Sequence, residues 1–381
     1  MSAIAENQAA HPGVAGDDLQ QEILARIERR SATYFPSLAG VRAPEVVCRR
    51  RSDSHGFSVL LEYDVIFAGI ETKHIFAKVR RDSRFGPYRR EDVTRAPALL
   101  QREFEELSKA DRYFRGRADG LGVVRPLDYW DELNTVLIEK ASGCDLEILA
   151  RSDEAASLRA FTRCGQWLRA FHQDVHEPQT RVWDPEACRQ RLVARRDKLA
   201  ALGVPATGLD RLLRRAIDAA RVSPQREVPC SVLHGDYKLR HIWATPDGIQ
   251  VFDFGNVHAG DCYADIALFL VELSVLRLGN PWFQSRKAGR YAEAFLGGYF
   301  PAEPPPLVGL YVVEALLKKW RRRLRRWSKA TMAATLQTCA RRMGAAPVVD
   351  RWYVDRWFAA RIEESLGAVV FGGNPAVERH G

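Results

Sequence analysis

The chain has 381 residues, 46% hydrophobic and 28% charged, with 57 Lys and Arg against 48 Asp and Glu for a net charge of +9. Such a length can bury a core for two lobes, and the composition excludes a disordered or fibrous chain. Seven scattered cysteines without a CxxC pair argue against a disulfide framework or zinc site, and no apolar run reaches the ~18 residues of a membrane span.

Residues 1–17 carry neither a basic start nor an apolar segment, so they read as a loose tail rather than a signal peptide. Reduced thiols and this N-terminal composition lead to the expectation of a cytoplasmic protein. Leu19, Ile23, Leu24 and Ile27 have helical spacing, which predicts a helix over about 18–33. Strands are expected at Val46–Cys48, Phe57–Val65 and Ile75–Val79, with a loop around Gly56 and a turn near Gly69. A charged helix follows over 99–114, then two short strands at Val123–Val124 and Thr135–Ile138. Three strands, a helix and two strands form a small antiparallel sheet with one helix. Beyond Ser152 the pattern is helical, broken by one apolar, turn-rich stretch from Ser231 to Ala267.

That stretch, SVLHGDYKLRHIWATPDGIQVFDFGNVHAGDCYADIA, carries the chemistry. Asp236 follows the apolar Val232-Leu233 and Asp253 follows Val251-Phe252, while Pro246-Asp247-Gly248 is a turn signal between Trp243 and Ile249. A hairpin with a carboxylate at each mouth aims both at one small volume. One carboxylate can position a hydroxyl and the other hold a divalent metal, the least that phosphoryl transfer requires. A lone HGD or DFG means little; both in order, one turn apart, mean more.

The motifs His234-Gly235-Asp236, Asp253-Phe254-Gly255 and Gly260-Asp261 with Asp265 resemble those of the aminoglycoside phosphotransferase and choline kinase-like superfamily, relatives of protein kinases. The resemblance spans roughly 45–345. It implies an α+β, bilobal protein-kinase-like fold: a nucleotide-binding lobe over 18–140 and a helical lobe over 141–381 that holds the catalytic hairpin 231–267. It further implies ATP with Mg²⁺, Mn²⁺ being the other candidate, and a small-molecule hydroxyl as acceptor. Asp236 would orient and deprotonate that hydroxyl, Lys238 would lie over the transferred phosphate, and Asp253 would bind the metal. Lys78 would hold ATP phosphates with Glu103 as its acidic partner, ahead of Glu106; Gly56 would serve the nucleotide loop. Glu139 falls in the adenine-contacting hinge, and Asp261 and Asp265 would brace the catalytic loop. His172 resembles a structural histidine of the family.

One position departs from the family pattern. His241 stands where the family places an Asn ligand of a second metal, and imidazole suits Mn²⁺ or Zn²⁺ better than Mg²⁺. A one-metal kinase, a kinase of altered metal preference and a weakened nucleotide-binding pseudokinase all fit, and some kinase-like folds transfer AMP instead. Charge bears on the acceptor: residues 301–381 hold fourteen Lys and Arg against seven Asp and Glu, mostly in the 318–327 run KKWRRRLRRW. Aminoglycosides and choline want acidic or aromatic sites, so a neutral or anionic sugar-type acceptor is expected. In a helix, Trp320, Leu324 and Trp327 share one face, which reads as a core-packed helix with a solvated cationic side. Contact with an anionic membrane surface or an acidic partner is the other reading; nucleic acid ranks last, and oligomeric state is not encoded legibly.

Overall fold

A computed structural model describes residues 14–38, 40, 43–52, 58–80, 97–222, 225–279, 285–326 and 346–371. The chain forms two compact units that part between Ser142 and Gly143, with residues 116–122 joining the second. The fold class is α+β as expected. Among the described residues no helix is long and apolar enough to cross a membrane.

In the first unit α1 (Val14–Tyr34) begins four residues before the expected helix, so residues 14–17 of the expected tail are helical; 1–13 lie outside the described residues. Its apolar face, Leu19, Ile23 and Ile27, is buried against β1 (Glu45–Ser52) and β2 (Ser58–Phe67). β2 returns as β3 (Glu71–Arg80) in unbroken register from Phe67 opposite Glu71 to Ser58 opposite Arg80, through a loop where Gly69 takes φ +78°. α2 (Pro97–Phe114) follows. Then come β4 (Leu121–Val123), β5 (Pro126–Trp130) and β6 (Thr135–Glu139).

The sheet is antiparallel in the order β1-β2-β3-β6-β5, five strands as expected but with one exchanged. The predicted strand at Val123–Val124 is not its fifth member. β4 pairs in a sheet of the second unit, and Pro126–Trp130 takes its place beside β6. A proline at the start of β5 is tolerated there because an edge position needs no donor from it.

The second unit opens with β7 (Cys144–Asp145) and α3 (Leu146–Ser152). α4 (Glu154–Ala170) follows, capped by the Asp153 side chain, which accepts from the Ala156 amide. β8 (Gln179–Val182) precedes α5 (Pro185–Ala200), where Asp184 is the cap and Pro185 the first residue. Next are α6 (Ala206–Val222), β9 (Glu227–Leu233), β10 (Ile242–Ala244), β11 (Ile249–Val251) and β12 (His258–Asp261). The helices α7 (Tyr263–Gly279), α8 (Ser285–Tyr299), α9 (Leu307–Arg326) and α10 (Ala346–Phe371) complete the unit.

Two small sheets interrupt these helices: β4-β11-β10-β7 and β12-β9-β8. The predicted hairpin exists, with Ile242 opposite Val251 and Thr245 bonded to Gly248 across the turn. Its arms are β10 and β11 alone. The strand leading into Asp236, β9, pairs with β8 and β12 in the other sheet, so the two carboxylates are not the two mouths of one hairpin. Buried Trp167 anchors the interior, stacked on Phe171 and Tyr237.

Candidate active site

The loop 234–241 between β9 and β10 delivers the site. Gly235 takes φ +73°, and a Cβ there would lie 2.1 Å from the Asn256 carbonyl oxygen, so only glycine fits. Gly235→Ala is expected to destabilise the protein by about 3 kcal/mol through left-handed strain and that clash, read as a lowered midpoint in denaturant. The loop hangs from Asp265 in the first turn of α7. Its carboxylate, buried, accepts from the amides of His234 at 2.7 Å and Gly235 at 3.0 Å. His172 meets the same carboxylate at 3.3 Å and Tyr299 at 3.0 Å, a buried structural position. His234 is fully buried and kept neutral by desolvation, and its Nε2 donates to the Phe252 carbonyl at 3.2 Å.

Asp236, Lys238, His241 and Asp253 come together. Lys238 Nζ donates to Asp236 Oδ2 at 2.6 Å. His241 lies between the carboxylates, its Nε2 3.2 Å from Asp253 Oδ2 and its Nδ1 3.1 Å from the Asp236 carbonyl oxygen. One potential ligand atom from each of Asp236, His241 and Asp253 lies within 4.8 Å of the others. Asp253 takes φ +66°, a left-handed conformation that costs a non-glycine residue energy and recurs where function imposes geometry.

Burial pushes the His241 imidazole down to about 4, against the pull of Asp253. A neutral ring has one proton for two oxygens. With that proton on Nδ1, toward the Asp236 carbonyl, the Nε2 lone pair faces the Asp253 carboxylate. A divalent cation held by the ring nitrogen and the carboxylate would relieve that opposition, and one nitrogen with carboxylate oxygens is a donor set that divalent metals accept. The residues therefore fit a metal.

Asp236 and Lys238 border a cavity of about 300 Å³, whose wall also carries Lys319, Arg322 and Arg323 of α9. α9 packs as the sequence suggested: Trp320 and Leu324 are buried, and Trp320 stacks on Phe358 and donates to Asp355 at 2.7 Å. Trp327 lies outside the described residues. The sequence showed these cations but not that they approach Asp236, because more than eighty residues separate them.

In the first unit Lys78 Nζ donates to both Glu103 oxygens, at 2.7 and 2.9 Å, and Glu103 is buried. Lys78 stands in β3 with the buried Ala77 and Val79 facing the other way. Glu139 accepts from Arg125 at 3.2 Å. The Glu139 amide donates to the Arg125 carbonyl and the Lys140 amide to the His74 carbonyl, so neither amide is free to read an adenine edge. Gly56 lies outside the described residues.

Among solved structures the chain is similar to amicoumacin kinase hAmiN bound to AMP-PNP, Ca²⁺ and Ami, at 12% identity over 90% of this chain and 96% of that one, TM-score 0.49. It is also similar to a choline kinase from Cryptosporidium parvum Iowa II, at 10% identity over 93% and 97%, TM-score 0.48. A choline/ethanolamine kinase family protein from Mesorhizobium loti shows 16% identity over 92% and 99%, TM-score 0.46. Among curated proteins none matches the chain. Residues 79–308, more than half the chain and inclusive of the whole 234–265 constellation, match the phosphotransferase enzyme family. The chain belongs to the phosphotransferase enzyme family.

Proposed function

We propose that the protein transfers the γ-phosphoryl group of ATP to a hydroxyl of a small molecule. The observation that carries this reading is the Asp236–His241–Asp253 cluster, two carboxylates and a neutral imidazole within 4.8 Å, inside the matched family region. In the reaction the acceptor oxygen bonds to the γ-phosphorus, the bond from that phosphorus to the β-γ bridging oxygen breaks, and ADP leaves. Asp236 orients the hydroxyl and takes its proton. Lys238, 2.6 Å from Asp236, neutralises the carboxylate beside it and offers charge to the transferred phosphoryl oxygens. Asp253 and His241 would hold a divalent cation, which supplies charge neutralisation at the phosphates. The Lys78–Glu103 pair fixes an ammonium for the α- and β-phosphates. Glu139 ends β6 and would lead to an adenine-contacting segment, and Gly56 would serve the nucleotide loop.

The acceptor is of neutral or anionic sugar type. Lys319, Arg322 and Arg323 beside Asp236 disfavour polycationic or quaternary-amine acceptors. His241 sets the metal. His241→Asn, which replaces a nitrogen ligand by a harder oxygen, is expected to raise turnover with Mg²⁺ relative to Mn²⁺. Equal changes with both ions would show that His241 is not a ligand.

Thermal-shift titration with AMP-PNP and Mg²⁺ or Mn²⁺ tests nucleotide binding. A hundredfold excess over Kd stabilises by about 2.7 kcal/mol. The expected shift depends on metal and disappears in Asp253→Asn. No shift with either metal would remove the enzyme reading; a shift with no turnover would favour the pseudokinase.

A further inference from the structure

A second cavity, of about 360 Å³, includes Leu233 and Gly235, the residues that lead into Asp236. Six cations border it: Arg181, Arg191, Arg195, Lys318, Lys319 and Arg322. Lys319 and Arg322 also wall the Asp236 cavity, so the two spaces meet at α9. Three carboxylates border the second cavity, and each is engaged. Asp261 accepts from Arg181 and the Tyr311 hydroxyl, both at 2.6 Å. Asp265 holds the loop amides, and Glu314 accepts from Arg191 at 2.9 Å and Arg195 at 3.4 Å. Lys319 pairs with Glu272.

Lys318 and Arg322 remain. They lie one helical turn apart on α9, both exposed, and among the described residues neither forms a hydrogen bond or ion pair. Like charges at this spacing weaken a helix, so the pair does not serve folding. Desolvation, then Arg322 and Arg195, push the Lys318 ammonium below its ordinary value, against the pull of Glu314 and Asp236. A solvated helix face would spread these cations into bulk water; here they border a concave space that opens beside the catalytic loop.

We propose, resting on the phosphotransferase reading above, that Lys318 and Arg322 seat a phosphate or carboxylate group of the acceptor while its hydroxyl lies at Asp236. The guanidinium fork gives two parallel donors to one oxyanion and the ammonium a third. The protein therefore selects anionic acceptors.

The test is calorimetric titration of inorganic phosphate, and separately of acetate, into the full chain saturated with AMP-PNP and Mg²⁺, so that the nucleotide's own phosphate site is filled. One weak phosphate site is expected, and Lys318→Gln/Arg322→Gln is expected to weaken it by about tenfold or more. Arg214→Gln/Arg215→Gln, which removes the same charge from exposed positions on α6 outside the cavity, leaves it unchanged. Phosphate binding without acetate binding assigns the seat to a phosphorylated acceptor; comparable binding of both assigns it to carboxylates as well. Absence of binding of both phosphate and acetate in the wild type, or equal binding in both variants, overturns the proposal. Retention of phosphatidylglycerol vesicles without binding of free phosphate also overturns it, in favour of a membrane surface. If AMP-PNP fails to bind while the phosphate site responds to Lys318→Gln/Arg322→Gln, the nucleotide reading fails and the anion site stands.

Discussion

Asp236→Asn is expected to lower ADP release in the presence of acceptor by about a thousandfold, the scale of a lost general base. The substitution keeps the shape of the side chain and removes its ability to take a proton. His241 holds the backbone carbonyl of Asp236 rather than its carboxylate, at 3.1 Å, so the loop keeps its anchor. Lys238 loses its charged partner, but it has solvent beside it. The effect should therefore appear in kcat, with AMP-PNP affinity nearly unchanged. A fall in nucleotide affinity as large as the fall in rate would show instead that Asp236 holds the nucleotide or its metal.

The second large effect concerns stability. Asp265→Asn is expected to destabilise the protein by about 3 kcal/mol or more, because a buried acceptor of two backbone amides and one histidine is replaced by a group with a single acceptor oxygen. For a unit of this size that is a fall in Tm of about 6–12 °C, measurable by calorimetry. Burial pushes the Asp265 carboxyl up, but the His172 contact and the His234 amide outweigh it and hold the carboxyl below its ordinary value. The sign follows: this carboxylate's contribution is full above the unfolded aspartate range of about 4 and is lost as pH falls through its depressed folded value. Acid unfolding of Asp265→Asn should accordingly be shallower than that of the wild type. An unchanged Tm would mean that the 234–241 loop is held elsewhere.

Local pattern revealed much of the fold. Ile23 and Ile27 on α1, the alternation along β3 and the Gly69 turn are short-range signals, and the structure places each where periodicity put it. Pairing partners were a different matter. β9 looked like an arm of the hairpin because its neighbours in sequence are strands, yet it pairs with β8, whose Gln179-Thr180-Arg181-Val182 is exposed throughout and carries no apolar alternation. β4 was legible as a strand but not as a member of the second sheet, since three residues do not encode which edge they join.

The site divides the same way. The Lys78–Glu103 pair was legible only through the family resemblance, since a lone strand lysine is ordinarily an exposed charge, and Asp236 with Asp253 from motif spacing. His241 was visible only as a departure. That its ring bridges two oxygens while burial keeps it neutral is a property of packing. The approach of α9 to Asp236 depends on the packing of α9 against α5, α7 and α10, which no local pattern contains.

Product analysis decides whether ATP gives its γ-phosphoryl group to a hydroxyl here. The full chain is incubated with ATP, Mg²⁺ or Mn²⁺ and a panel of sugars, sugar phosphates and sugar acids, and the mixture is followed by ³¹P nuclear magnetic resonance and mass spectrometry. ADP and a phosphomonoester are expected to form together, with Asp236→Asn forming neither at a comparable rate. AMP carried onto the acceptor with release of pyrophosphate, or equal product from Asp236→Asn, would contradict it.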